Sequence, residues 1–190
     1  VAGQYTEFVP FADYYGGKPK AEKLINRYFP EAGTALIALQ KGEIDFSYVT
    51  VDELDKLKTN ADLKIIEGPS LVGQSMYLNL RIKGFDNIKV RQAIMTAVDR
   101  DLIIKTLWKG TALPSNCFFS PAGPYNAKDA DPYKFNLDKA KALIKESGVD
   151  LAALGELQFL TYYNDQLTKD MLAVITEQLG AIGLKTKMRY

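Results

Sequence analysis

The strongest constraint on the fold is a single helical stripe near the end of the chain. Leu167, Met171, Val174, Ile175, Leu179 and Ile182 recur at steps of three and four residues. That spacing puts apolar side chains on one face of a helix over 166–182. Gly183 is its stop signal. A strand reading over 157–162 precedes the helix, and another over 184–189 follows it. Strand, helix and strand in one run argue for an α/β layer.

The rest of the chain alternates in the same way. Residues 5–20 read as loop, with Tyr14-Tyr15-Gly16-Gly17-Lys18-Pro19 as a turn cluster. Strands are predicted over 22–29, 44–49, 63–67 and 76–80. Helices are predicted over 31–41, ending at Gly42, and over 52–58, 88–98, about 101–108 and 138–146. Asp99 or Asp101 is placed to cap the fourth of these. Residues 111–136 form a long irregular stretch, the kind of loop that in a compact domain is functional or packed against something else. The expected fold class is α/β: a mixed β-sheet flanked by helices, built as a single lobe over 1–190.

Charge and composition exclude several functions. The 24 basic and 23 acidic residues leave a net charge of +1, without the basic excess of a nucleic-acid binder. The chain has no histidine, which removes His-based nucleophile activation and the commonest metal ligand. Its one cysteine, Cys117, forms no internal disulfide and reads as a small buried hydrophobe. No apolar run reaches the roughly 18 residues of a membrane span. The opening Val1-Ala2-Gly3-Gln4-Tyr5 reads as the inside of a longer protein rather than a leader. No metal and no cofactor is expected.

Four segments carry a family resemblance. They are Tyr14-Tyr15-Gly16-Gly17-Lys18-Pro19-Lys20, then Ala35-Leu36-Ile37-Ala38-Leu39-Gln40-Lys41-Gly42-Glu43-Ile44-Asp45, then Phe85-Asp86-Asn87-Ile88-Lys89-Val90-Arg91-Gln92-Ala93-Ile94 with Ala97-Val98-Asp99-Arg100, and finally Asp131-Pro132-Tyr133 with 136–144. In this order and spacing, with Gln178-Leu179-Gly180-Ala181-Ile182-Gly183-Leu184 at the end, the chain resembles the extracytoplasmic solute-binding proteins of oligopeptide, dipeptide and nickel ABC importers, family 5. The resemblance implies one lobe of a two-lobed, periplasmic-binding-protein-like fold. It implies as partners a peptide or other small solute, a second lobe of the same parent chain and an ABC permease in the membrane. It also implies an extracytoplasmic location, with a lipid anchor in the parent as one form. The acidic residue that pairs with a peptide amino terminus in this family falls downstream of Tyr190, so this chain is expected to hold only half of a cleft.

Ligands in α/β sheets gather beyond the carboxyl ends of strands. That rule selects Thr50 after 44–49, Tyr163 and Asn164 after 157–162, and Asn116 within 113–119. The polar turn 73–75 adds Gln74 and Ser75, and Tyr77 and Asn79 share a face of the strand predicted over 76–80. Hydroxyls, amides and aromatic rings suit a pocket that grips varied solutes. Each of these residues also has a plain reading as a turn or half-buried surface residue, and for Asn79 bracing by its amide stands beside ligand contact. Leu102, Ile104, Leu107 and Trp108 read as one packed helix face, and Arg91 with Asp99 as a packing and ion-pairing couple. Asp129 and Asp131 lack the later Glu of a calcium loop and read as turn residues.

The expected function is therefore ligand binding and delivery to a permease, without catalysis. A sensor or interaction domain derived from such a lobe is the alternative. A hydrolase using a pair such as Asp52-Glu53 is the weaker one, because no carboxylate sits in a setting apolar enough to raise its pKa.

Overall fold

A computed structural model describes residues 3–115, 117–127 and 133–189. The chain divides into two compact units, Val1–Ile66 and Glu67–Tyr190, where a single lobe is the sequence expectation.

The first unit contains β1 (Tyr5–Phe8), β2 (Leu24–Arg27), α1 (Ala32–Gln40) and α2 (Val51–Leu57). β1 and β2 pair antiparallel, with Tyr5 opposite Arg27 and Phe8 opposite Leu24. β1 lies inside the stretch read as loop. Its Tyr-Thr-Glu-Phe sequence does not alternate, so only pairing with β2 reveals it. An ion pair between Lys23 and Glu7 at 3.0 Å spans the two strands. α1 turns its small residues inward: Ala35 and Ala38 are buried, while Ile37 is exposed. Gly42, at φ 70°, follows α1 and its N–H bonds back to the Leu39 carbonyl. That left-handed step is inexpensive only for glycine.

The second unit contains α3 (Ile88–Ala97), α4 (Arg100–Thr106), α5 (Leu137–Ser147), a short 3-10 turn (Ala152–Leu154), β3 (Glu156–Leu160), α6 (Gln166–Gly180) and β4 (Lys185–Arg189). β3 and β4 pair in parallel, Glu156 opposite Lys185 and Leu160 opposite Arg189. Parallel neighbours need a crossover, and α6 supplies it. The core gathers Phe85, Val90, Ala93, Ile94 and Ala97 with Ala140, Leu151, Leu179, Ile182 and Leu184. α5 packs on α3, and the alanines at 93, 97 and 140, all fully buried, let the two backbones approach. Four helix starts in this unit carry side-chain caps: Asn87 accepts from Lys89 N–H, Asp99 from Leu102 N–H, Asn136 from Lys139 N–H and Asp165 from Thr168 N–H. Gly148, at φ 65°, ends α5.

Helix and sheet are both present, as expected, and among the described residues the strands form one antiparallel and one parallel pair. The segments 44–49, 63–67 and 76–80 are not strands. Their alternation is real, yet Phe46, Tyr48, Ile66 and Tyr77 are exposed. A strand exists only as part of a ladder, and these segments find no partner strand among the described residues. α4 also departs from expectation. Ile103 is its buried residue, whereas Leu102 is exposed and Ile104, Leu107 and Trp108 are half-buried.

Candidate functional site

Of the three loops chosen because they follow a strand, only 161–164 does so among the described residues. It leaves the carboxyl end of β3 and enters α6. The Thr161 N–H donates to the Arg189 carbonyl at 3.2 Å, extending the ladder by one rung. Thr161 Oγ1 then accepts from the Tyr163 N–H at 3.1 Å. Asp165 closes the loop as the cap of α6: its carboxylate accepts from the Thr168 N–H at 2.9 Å and from the Thr168 hydroxyl at 2.8 Å. Partial burial opposes ionisation of Asp165, but the two Thr168 donors, with its own backbone N–H and the Lys169 charge, outweigh it and hold the carboxyl below its ordinary range.

On this pinned loop Tyr162 and Tyr163 stack, with ring centroids 4.2 Å apart at 36°. The Tyr162 hydroxyl donates to that of Tyr163 at 3.0 Å. The neighbouring Tyr162 hydroxyl comes first among the causes that raise the Tyr163 pKa, ahead of slight desolvation and the negative charge of Asp165. Tyr162 is absent from the residues chosen by sequence, although the Tyr-Tyr doublet directly after a strand is a readable signal. Asn164, which was chosen, is exposed beside the pair.

The other chosen residues stand apart from this loop. Thr50 belongs to the first unit, at the N-terminal end of α2, where its hydroxyl donates to Glu53 Oε2 at 2.9 Å. Two exposed aromatic rings lie just before it, Phe46 and Tyr48, edge to face at 5.5 Å. Gln74, Ser75 and Tyr77 are exposed. Asn79 is exposed as well, and its Oδ1 accepts from the Arg81 N–H at 3.1 Å. That is the local turn bond typical of asparagine, so the amide braces a turn rather than a buried strand face. Among the described residues, no hydrogen bond or ring contact joins 74–79 to 163–164. Asn116 lies outside the described residues, as do Asp129 and Asp131.

The long loop has its own order. Arg100 anchors it from α4, donating to the Ser115 carbonyl at 2.7 Å and to the Tyr133 carbonyl at 3.0 Å. Asn126 donates to the Phe119 carbonyl at 2.8 Å, and the Ser120 hydroxyl to the Ser70 carbonyl at 2.8 Å. These bonds hold an exposed aromatic group, Phe118, Phe119 and Tyr125. Cys117 is half-buried rather than buried, with its thiol 3.6 Å from the Phe119 carbonyl. Arg91 donates to the carbonyls of Phe85 at 2.9 Å and Asp86 at 2.8 Å. It therefore fastens the turn before its own helix, and Asp99 is occupied as a cap.

Comparison with known proteins identifies the class. The family described as bacterial extracellular solute-binding proteins, family 5 Middle, matches residues 1–190, and the chain belongs to that family. A protein of Brucella ovis carrying the name ABC transporter peptide-binding protein is 37% identical over 185 residues, covering 97% of this chain and 35% of its own length. Among solved structures, the Helicobacter pylori periplasmic binding protein DppA in complex with the peptide STSA aligns with TM-score 0.81 and 26% identity, over 98% of this chain and 36% of that one. The oligopeptide-binding protein AppA of Bacillus subtilis, in complex with a nonapeptide, aligns with TM-score 0.78 and 27% identity, over 100% of this chain and 40% of that one. This chain thus spans little more than a third of each relative. Members of the family are extracellular solute-binding proteins of transport systems. No helix among the described residues is long and apolar enough to cross a membrane.

Proposed function

We propose that this chain supplies part of the peptide-binding wall of an ABC-transporter substrate-binding protein. The protein binds an oligopeptide or dipeptide outside the cytoplasm, closes over it by hinge motion between lobes, and delivers it to a membrane permease. The rest of the cleft belongs to a second lobe of the same parent, and a lipid anchor would hold that parent at the outer face of the membrane. The 37% identity to a peptide-binding relative over nearly the whole chain is the main support. The geometry agrees with the reading: rings, hydroxyls and an amide are displayed on a loop fixed at both ends, the kind of surface that grips a solute without transforming it.

Isothermal titration of the full-length protein with defined peptides, free amino acids and sugars tests this reading. Saturable binding of peptides, with much weaker binding by the 190-residue chain alone, is the expected outcome. A chain that binds peptide as tightly as the full-length protein contradicts the shared cleft. Peptide hydrolysis lost on Glu53→Gln would favour the hydrolase instead.

A further inference from the structure

We propose that Tyr162 and Tyr163 form a peptide-facing shelf, on which the paired rings cover a flat apolar side chain, proline or aromatic, while the phenolic proton not used between them is donated to a main-chain carbonyl of the same peptide. The proposal rests on the peptide-binding reading above and adds the residues and the side-chain class.

Exposure is the first argument. Tyr162 is 87% exposed and Tyr163 44%, although two adjacent tyrosines bring a large apolar area. Their position is the second. They follow the carboxyl end of a parallel strand pair, where α/β proteins receive ligands. Order is the third. The loop is fixed by the Arg189 carbonyl, the Thr161 hydroxyl and the Asp165 cap, and the rings restrain each other through stacking and a hydroxyl bond. Little conformational freedom is left to lose on binding, which favours affinity.

Charge then selects the polar partner. One hydroxyl bond uses one of two phenolic protons, so one donor remains. Asp165 lies two residues on and is held in its ionised form. A carboxylate at this place would meet that negative charge, whereas a neutral carbonyl meets only the donor. The shelf therefore does not take the peptide's carboxyl terminus, which belongs elsewhere.

The test uses the full-length protein and tetrapeptides that place Phe or Pro at each position in turn of an all-alanine background. The unmodified protein should prefer Phe or Pro at one position by roughly threefold to tenfold, the worth of an aromatic contact. Tyr162→Ala should abolish that preference, and Tyr162→Phe should keep it. Tyr163→Phe should weaken every peptide by roughly threefold to tenfold, the worth of one hydrogen bond, with the preference intact. The two Phe variants preserve ring packing, so they remain informative if Tyr162→Ala fails to fold. Peptide binding with no change in any folded variant overturns the shelf and leaves the peptide-binding reading standing. No peptide binding by the unmodified protein overturns both.

Discussion

The two units of the chain handle apolar surface differently. In Glu67–Tyr190, ten buried residues in α3, α5, α6 and the turns beside them form one core, and its helix starts are capped by side chains. In Val1–Ile66, the buried hydrophobic residues among those described are Ala35, Ala38 and Leu57, while Phe8, Phe11, Leu24, Ile25, Ile37, Phe46 and Tyr48 are exposed. A two-stranded sheet with exposed faces is marginal by itself in water. The difference teaches that one segment carries its own stability, whereas the other has the composition of an interior without the burial.

The largest expected effect sharpens that contrast. Ile94 is 1% exposed at the centre of the second unit's core and Ile37 is 54% exposed on α1. Ile94→Ala should cost about 2–5 kcal/mol in urea unfolding, and Ile37→Ala well under about 1 kcal/mol. Equal losses would break the comparison. Next comes Gly84, at φ 98°, where an added Cβ would stand 2.9 Å from Val149 Cγ1. Gly84→Ala combines a left-handed backbone with a clash, and a loss of about 1–3 kcal/mol is expected in the same experiment.

A smaller effect is expected at the α6 cap. Asp165→Ala should cost about 1 kcal/mol. Because the folded-state pKa of Asp165 is lowered, its stabilisation is present above the ordinary carboxylate value of about 4 and is lost as pH falls through the folded value. Asp165→Asn should keep much of the cap and remove that acid-side dependence, as read from unfolding curves at successive pH values. The smallest effect belongs to the exposed ion pair Lys187–Glu156, at 2.6 Å across β3 and β4. Lys187→Ala should change stability by less than about 1 kcal/mol.

What sequence revealed, and what it hid, follows the same division. The α6 stripe and the Gly42 stop were legible because helices are specified locally, by spacing and caps. The predicted strands at 44–49, 63–67 and 76–80 failed because alternation describes a face but names no partner strand. β1 was missed for the opposite reason: a partner exists without alternation. Tyr163 and Asn164 follow a strand that does form, and Tyr162, which was not chosen, follows the same strand. Asn79 was chosen from a strand that does not form, and its amide proves to close a turn. Arg91 was read with Asp99 as a packing and ion-pairing couple, but it donates to backbone carbonyls, as Arg100 does, which no charge pattern discloses.

The proposed shelf would give the second unit, beside its fixed core, a solute-facing surface at the carboxyl end of β3. Hydrogen exchange of the full-length protein, with and without a saturating peptide, tests it most directly. The account predicts added protection at residues 161–165, with exchange in α3 and α5 unchanged. Protection confined to α3 and α5, or none at 161–165 while peptide is bound, would contradict it.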